Sequence, residues 1–193
     1  MNVLVVICHP RRNSLTGVLA DAFIEGLKQS GHGVEIADLY AENFDPRMPV
    51  ADEPDYGDPG KVYSEEVRSE MTRIERNDAI AMFFPIWWWS MPAMLKGWID
   101  RVWNHGWAYG WNGTETRIPI GKALIVALGG SPLEDFTSGD YDKVLDTQVR
   151  LGLMNYCGID DVRIEIITDT LNENAQFDLM IKRAQVLGRQ FVS

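Results

Sequence analysis

The chain has 193 residues, the length of one ordinary domain, which is enough to bury a core without disulfides or metals. Hydrophobic residues make up 46% and charged residues 24%, a composition that excludes an intrinsically disordered chain. The 18 lysines and arginines and 28 aspartates and glutamates give a net charge of −10, which argues against nucleic acid or an anionic membrane as the main partner.

The start of the chain predicts a strand and not a targeting segment. The run Met1–Ile7 is apolar but has no basic leader and no small-residue cleavage site. The most apolar run, 81–95, is interrupted by two prolines and is too short to span a bilayer. Cys8 and Cys157 lie in apolar sequence without metal-ligand spacing, so we expect reduced core cysteines. These features predict a cytoplasmic protein with no stable membrane insertion.

Strand and helix signals alternate five times along the chain. The predicted strands are Val3–Cys8, Val34–Leu39, Ala79–Phe84, Ala123–Leu128 and Val162–Ile167. The predicted helices run from Leu15 to the glycines Gly31 and Gly33, over Lys61–Arg76, from Pro92 to Trp103, over about Tyr141–Tyr156, and over Asn172–Phe191. The connection 41–60 carries four prolines and six acids and is expected to be irregular. This order predicts an α/β fold: a doubly wound five-stranded parallel sheet with helices on both faces, forming a single domain over residues 1–193.

The loop after the first strand is a candidate phosphate site. Ligands of such sheets bind at the carboxyl ends of the strands, near the point where the strand order reverses. A dinucleotide-binding G-x-G-x-x-G motif is absent, since no glycine precedes Gly17. The loop instead offers an imidazole, two guanidinium groups, an amide and hydroxyls just before a helix N-terminus, whose free N–H groups suit a phosphate. An ordinary helix cap by Asn13 or Ser14 explains the same residues equally well.

Two further loops follow the third and fourth strands. Extended backbone alternates its side chains, so the triplet Trp87–Trp89 cannot lie wholly in one core, and at least one ring faces a groove, a ligand or a partner. Flat aromatic rings at this place suit an isoalloxazine ring. Trp98 and Trp103 have helical spacing and are expected in the core. The pair Gly129-Gly130 allows either close approach of a ligand or a plain tight turn.

Taken together, these loops resemble the flavodoxin-like NAD(P)H:quinone oxidoreductase family. That family includes the DT-diaphorase type, the bacterial drug-activity modulators and the ancillary quinone reductases of potassium-efflux systems. The most specific stretch runs from Pro85 to Trp103 and continues over His105–Gly110. Ala37–Tyr40 and Asn43–Pro46 match as well, and the resemblance covers nearly the whole chain.

The resemblance implies a bound flavin and a set of residues around it. The residues implied at the flavin phosphate are His9, Asn13, Ser14, Leu15 and Thr16, and those implied along the ring are Pro85, Ile86, Trp88, Trp89, Gly129 and Gly130. The family's aromatic segment reaches over from the neighbouring subunit and covers the substrate, which here points to Tyr109 and Trp111 and implies a homodimer. The first loop resembles that of FAD-binding members, which favours FAD, with FMN as the alternative.

The implied reaction is ping-pong hydride transfer. NADPH or NADH reduces the flavin and leaves, and a quinone or related small aromatic acceptor takes the same place. The family often has a tyrosine and a histidine after the glycine pair, but no histidine follows His105 here, so Tyr141 is the candidate catalytic substitute. A flavodoxin-type electron carrier with an acidic docking face, a regulatory subunit of a membrane transport system and a catalytically silent fold stay open as alternatives. The long aromatic segment argues against a simple carrier.

Overall fold

The computed structural model describes residues 1–58, 60–110 and 118–191, and its strands form one parallel sheet. The strands are β1 (Asn2–Ile7), β2 (Gly33–Asp38), β3 (Ala79–Pro85), β4 (Lys122–Leu128) and β5 (Asp161–Ile167). Their order is β2-β1-β3-β4-β5, and every neighbouring pair is parallel. In this doubly wound order β2 is added on one side of β1, and β3, β4 and β5 are added on the other side. The strand order therefore reverses between β1 and β3. The predicted fold class is confirmed.

Helices cover both faces of this sheet and create two apolar cores. They are α1 (Leu15–Gln29), α2 (Glu65–Glu75), α3 (Ala93–Val102), α4 (Leu133–Ser138), α5 (Tyr141–Asp146), a π-helix (Thr147–Asn155) and α6 (Phe177–Gln190). One core joins α1 and α6 to the sheet, and the other joins α2, α3, α5 and the π-helix. Because β1 is covered on both faces, Val3–Ile7 is buried at every residue.

The strand register brings the ends of four strands to one edge. Ile7 pairs with Phe83, so β1 and β3 end at nearly the same level. Leu128 of β4 pairs with Pro85 on one side and with Ile167 on the other. The loops that follow β1, β3, β4 and β5 therefore meet at the edge where ligands of doubly wound sheets bind.

The predicted helix over about Tyr141–Tyr156 is confirmed over Tyr141–Asn155, although it is not an α-helix throughout. A separate helix, α4, precedes it, and Asp140 breaks the chain between α4 and α5 with a left-handed φ of 55°. From Thr147 onward the backbone changes to a π-helix. Two other helices begin later than predicted: α2 at Glu65, where Ser64 caps it, and α6 at Phe177.

The long connection between β2 and α2 is attached to the core by one buried cation. The guanidinium of Arg101, whose side chain is 4% exposed, donates to Asp52 at 2.8 Å and to Glu66 at 2.7 Å. Asp52 also accepts from the backbone N–H of Ser64 at 2.8 Å, so the acid links the connection to the start of α2. Hydrogen bonds between charged side chains, and not the backbone hydrogen bonds of a helix or sheet, therefore attach this segment to the core.

Helices α1 and α6 touch through their backbones. A Cβ atom at Gly26 would lie 2.1 Å from the carbonyl oxygen of Gln185, and one at Gly188 would lie 2.1 Å from that of Phe23. No side chain fits at either glycine without moving the helices apart. The two helices cover one face of the sheet as a joined pair.

The buried residues agree with most of the core expected from the sequence. Trp98 and Trp103 are buried, as predicted, and the indole N–H of Trp98 donates to Glu70 at 2.8 Å. Cys8 and Cys157 are free and buried, and burial raises the pKa of these thiols to about 12 and about 11. Within the described ranges, no helix has the length and hydropathy needed to cross a membrane.

Candidate active site

The first part of the site lies over the N-terminus of α1. The backbone N–H of Gly17 donates to the Ser14 hydroxyl at 3.4 Å, so Ser14 caps the helix. A cavity of about 270 Å³ opens here, and its lining consists of His9, Arg11, Ser14, Leu15, Thr16, Pro85, Ile86, Trp87, Leu128, Gly130, Thr170 and Leu171. A helix N-terminus with hydroxyls and a cation around it suits an anion, and the apolar wall beyond it suits a flat ring.

The two arginines of the first loop have different surroundings. The guanidinium of Arg12 donates to Asp21 at 3.1 Å and to the Gly17 carbonyl at 3.1 Å, and it lies 3.3 Å from Asp38. Arg11 lines the cavity and has no ion-pair partner among residues 1–58, 60–110 and 118–191. The positive charge that remains for a ligand is therefore that of Arg11, whereas Arg12 joins the loop to α1 and β2.

His9 contributes a neutral imidazole to the cavity. Its Nδ1 lies 3.0 Å from both the backbone nitrogen and the carbonyl oxygen of Arg11. Burial lowers the pKa of His9 below its ordinary value and the charge of Arg11 acts in the same direction, while the hydrogen bond with the Arg11 backbone opposes the shift. The ring lies 6.4 Å from that of Trp87, so it faces the tryptophan loop.

The second part of the site is a strained turn of tryptophans. Trp87 and Ser90 exchange backbone hydrogen bonds of 3.0 and 3.1 Å, and between them Trp88 and Trp89 have φ angles of 52° and 60°. Two-residue turns of this kind favour Asn-Gly, because other side chains are strained at positive φ. Strain of this type is concentrated at ligand sites, where the surroundings hold it in place.

The turn corrects one step of the sequence argument. The triplet does not continue as extended backbone, so alternation of side chains is not what separates the three rings. The consequence drawn from it nevertheless holds, since Trp88 is 95% exposed. Trp89 instead packs inward: its ring stacks on Tyr141 with the centroids 3.8 Å apart and the planes 7° from parallel, and Phe136 meets it edge-on at 5.0 Å.

These aromatic residues border a second, larger cavity of about 820 Å³. Its lining consists of Trp88, Trp89, Ser90, Asp140, Tyr141, Lys143, Val144, Thr147 and Gln148. The apolar walls suit a flat acceptor, and Ser90 donates to the Gln148 side chain at 3.1 Å across one side. The two cavities meet at the tryptophan turn, since Trp87 lines the first and Trp88 the second.

The glycine pair makes room for neighbouring side chains of the same chain. A Cβ atom at Gly129 would lie 2.4 Å from the ring of Phe136, and one at Gly130 would lie 2.7 Å from the Leu171 side chain. The Thr170 hydroxyl donates to the Gly129 carbonyl at 3.0 Å. The pair therefore permits the β4 and β5 loops to close over the strand ends, and Gly130 also lines the first cavity.

The site residues predicted from the sequence are divided between these places. His9, Ser14, Leu15, Thr16, Pro85, Ile86 and Gly130 line the first cavity, and Trp88, Trp89 and Tyr141 line the second. Asn13 is exposed and lines neither cavity, and Gly129 is buried behind Phe136. Trp111 lies outside the described residues.

Tyr109 lines neither of these cavities but a groove of about 590 Å³ beside α3 and the π-helix. The groove is lined by Met48, Pro54, Tyr56, Met91, Lys96, Ile99, Asp100, Trp103, Asn104, Tyr109, Gln148, Gly152, Leu153, Tyr156 and Cys157. The Tyr109 and Tyr56 hydroxyls lie 3.5 Å apart, and the Tyr156 ring is 5.6 Å from that of Tyr109. Burial and the hydrogen bond with Tyr56 raise the pKa of Tyr109 well above its ordinary value, so the phenol stays neutral.

Sequence reasoning missed the loop after β5. Thr170 and Leu171 line the first cavity, and Leu171 is 85% exposed although it is apolar. The signal was present, because a fifth parallel strand also ends at the ligand edge. Trp87 was missed as a first-cavity residue because its direction depends on the turn that follows it.

The chemistry of the site fits a flat cofactor with a phosphate tail. The first cavity combines the α1 N-terminus, the Ser14 and Thr16 side chains and the Arg11 cation, and the close contacts at Gly129 and Gly130 keep the neighbouring loops near the strand ends. The described ranges contain no group of three histidine, cysteine, aspartate or glutamate side chains placed to hold a metal ion. Fold and site together define an α/β protein whose strand ends carry a cavity that suits a phosphate-bearing aromatic cofactor.

Comparison with known proteins gives the family. Residues 1–188 match the family model described as flavodoxin-like fold. The uncharacterized NAD(P)H oxidoreductase YcaK of Escherichia coli is 37% identical over 88% of this chain and 84% of its own length, and the mouse ribosyldihydronicotinamide dehydrogenase [quinone] is 30% identical over 81% and 76%. The solved NAD(P)H:quinone oxidoreductase from Methanothermobacter marburgensis has a TM-score of 0.92 and 34% identity, covering 100% of this chain and 98% of that one. The chain belongs to this flavodoxin-like family of NAD(P)H oxidoreductases, as the resemblance predicted.

Proposed function

We propose that this chain is a flavin-dependent NAD(P)H:quinone oxidoreductase that works by ping-pong hydride transfer. The observation that carries the proposal is the strained Trp88–Trp89 turn, which borders both the cavity at the α1 N-terminus, through Trp87, and the larger aromatic-lined cavity. A carrier that only docks to other proteins has no use for an aromatic cavity of about 820 Å³. The relatives named as NAD(P)H oxidoreductases support the same activity.

The side chains divide the work between holding the cofactor and admitting the substrates. The Ser14 and Thr16 side chains and the α1 N-terminus hold the phosphate, with Asn13 at the margin of the same loop. Pro85 and Ile86 line the ring, with Gly130 at its edge and Gly129 behind it. The flavin, when bound, supplies the hydride chemistry. Trp88 and Trp89 exclude water from the acceptor and hold its flat face, which accounts for a preference for quinones and related small aromatic molecules.

The anionic donor, NADPH or NADH, approaches a chain whose net charge is −10. The guanidinium of Arg11, which has no ion-pair partner among the described residues, gives the entrance of the first cavity a local positive charge that opposes this repulsion. Among the flavins we favour FAD over FMN, because the first loop resembles that of FAD-binding members. Chromatography of the flavin released by boiling the purified protein distinguishes the two.

We further propose that the active form is a homodimer in the cytoplasm. Tyr109 lines the groove and not the neighbouring tryptophan cavity, with which the groove shares Gln148, so within one chain it does not line the acceptor cavity. The groove is lined mainly by apolar and aromatic residues, and its covering by a second copy brings the Tyr109 and Trp111 segment to the partner's cavity. The two buried free cysteines support a reducing compartment.

The activity is tested by steady-state kinetics of the purified protein. We expect a yellow protein with about one flavin per chain that oxidises NADPH or NADH when a benzoquinone is added, because the donor and the acceptor use one site in turn. Initial rates measured over both substrate concentrations should give parallel double-reciprocal lines. A yellow protein that oxidises neither nucleotide contradicts the proposal and favours an electron carrier. A colourless protein that takes up neither FAD nor FMN contradicts the flavin itself.

A further inference from the structure

Tyr141 and Trp89 form the most closely stacked aromatic pair among the described residues. Their centroids are 3.8 Å apart and their planes 7° from parallel, whereas the other ring pairs are at least 5.0 Å apart. Both residues line the acceptor cavity. The contact therefore joins the tryptophan turn after β3 to the first residue of α5, two segments with no other aromatic link among the described residues.

The Tyr141 ring also lies close to the backbone at Gly139. A Cβ atom at Gly139 would lie 2.4 Å from Cε2 of Tyr141, and Asp140, between them, has a φ of 55°. The backbone thus bends tightly to bring the ring of Tyr141 over Gly139 and against Trp89. The tyrosine ring therefore has two close neighbours, the backbone at Gly139 and the indole of Trp89.

The tryptophan turn needs such an anchor. Trp88 and Trp89 both have positive φ, a conformation that bulky residues adopt only when their surroundings hold it. Trp88 is almost fully exposed and makes no aromatic contact with a described residue, so it cannot hold the turn. Trp89 carries the anchoring contacts, with Tyr141 against its face and Phe136 at its edge.

The hydroxyl of Tyr141 is in a different situation from its ring. It makes no hydrogen bond with any residue in the described ranges, so no described side chain is placed to exchange a proton with it. A relay of protons to another side chain requires a partner within hydrogen-bond reach, and the described residues offer none. The ring has close neighbours in Trp89 and the Gly139 backbone, while the hydroxyl has no hydrogen-bond partner among the described residues.

From this geometry we propose that Tyr141 is a positioning residue that acts through its ring: it holds Trp89 in the strained turn and so fixes the wall on which the acceptor lies. The inference rests on the proposed function, because it assigns a role within the acceptor site. It replaces the catalytic proton-transfer role expected from the sequence with a steric one. The hydroxyl is dispensable to that role, and the aromatic ring is not.

The test compares Tyr141→Leu with Tyr141→Phe. We expect Tyr141→Leu to raise the KM for a benzoquinone roughly tenfold, with a smaller change in kcat, because a stacked aromatic pair contributes about that factor. Tyr141→Phe keeps the ring and should restore the KM and show the same dependence of kcat on pH as the wild type. The Kd of each flavin-free protein for FAD, measured by quenching of flavin fluorescence, gives a readout independent of turnover. This Kd should rise in Tyr141→Leu and equal the wild-type value in Tyr141→Phe.

Two controls separate the stack from general damage. Leu133→Ala removes an exposed apolar side chain on α4 that lines none of the cavities, and its KM should equal that of the wild type. A cycle with Trp89→Leu, Tyr141→Leu and the double variant should show that the second substitution adds little to the first, since either one breaks the stack.

Three results would overturn the inference. These are a Tyr141→Phe variant as impaired as Tyr141→Leu, a pH profile that shifts on loss of the hydroxyl, and a Tyr141→Leu variant with the wild-type KM and Kd. Failure of the proposed function is a separate result, because there the wild-type protein itself does not oxidise NAD(P)H.

Discussion

At the scale of single residues, Trp88 and Trp98 have opposite environments although they are only ten positions apart in the sequence. Trp88 lies on the turn with its side chain in solvent, whereas Trp98 is fully buried on α3 and bonded to Glu70. A tryptophan that is exposed in a strained conformation contributes to binding, and one that fills the core contributes to stability. The difference can be measured.

Substitution of each tryptophan by alanine should separate these roles. Trp98→Ala should lower the free energy of unfolding by roughly 3–5 kcal/mol, because it leaves a cavity and removes the hydrogen bond to Glu70. Trp88→Ala should leave the melting temperature of the flavin-free protein nearly unchanged, while it weakens flavin binding or turnover. Thermal unfolding and flavin titration measure the two effects. Equal losses of melting temperature, with intact kinetics for Trp88→Ala, would make the turn a purely structural feature.

The sequence predicted the residue chemistry of the site better than its geometry. His9, Ser14 and Pro85, which line the first cavity, were predicted at this edge because parallel strands present their following loops at one edge. The directions of Trp87 and Trp89 were not, because a positive φ at a bulky residue has no signal in the sequence. Asn13 was assigned to the phosphate site by resemblance, but its side chain is exposed outside the cavity.

At the scale of elements, the strands were predicted within one residue at each end. Buried parallel strands appear as continuous apolar runs, and these are unambiguous when glycine, proline or charged residues flank them. The region between β4 and β5 was harder, because α4, α5 and the π-helix depend on a left-handed Asp140 and on packing against the sheet. Local sequence preference did not determine that path.

The buried pair of Arg101 and Asp52 is the element-scale contact with the clearest pH dependence. Burial acts to raise the pKa of Asp52, but hydrogen bonds from Arg101 and Ser64 outweigh it and hold the pKa below the ordinary value. A carboxyl whose folded pKa is depressed stabilises the protein above its unfolded pKa, and this contribution is lost as the pH falls through the folded pKa. The pair should therefore stabilise the folded protein at neutral pH, and this stabilisation should be lost in acid.

Asp52→Asn should lower the free energy of unfolding at pH 7 by about 3 kcal/mol, because it leaves Arg101 buried with only Glu66 as a charged partner. The difference between variant and wild type should begin to shrink as the pH falls below about 4, where the carboxyl is protonated in the unfolded chain, and should be lost as the pH falls through the lower folded pKa. Urea unfolding at a series of pH values measures this. Glu65→Gln, which breaks only the exposed pair with Arg68, is the matched control and should change stability little. A pH-independent difference would show that Asp52 acts by shape and not by charge.

At the scale of the whole molecule, the groove beside α3 and the π-helix is the surface that a second copy should cover. We expect the purified protein to sediment as a dimer at assay concentrations. Tyr156→Glu, which places a charge on a ring that is 58% exposed at the groove, should give monomers with an unchanged circular dichroism spectrum and much lower activity.

Leu133→Glu is the control for that experiment, because it adds a charge to an apolar side chain away from the groove. It should leave the sedimentation coefficient of the dimer unchanged. A wild-type protein that is active as a monomer would contradict the shared site and would confine Tyr109 to a role within its own chain.

The contact between α1 and α6 also has a consequence for how the protein is made. The apolar face of α1, with Phe23 and Leu27, is covered by a helix that begins about 150 residues later in the sequence. On the ribosome, the sheet can cover part of this face, as Phe83 does against Phe23, but the side that packs on α6 stays uncovered until residues 177–190 have emerged from the exit tunnel. During that interval the nascent chain exposes a surface that chaperones bind, so conditions that stall translation between β5 and α6 should favour aggregation of this protein.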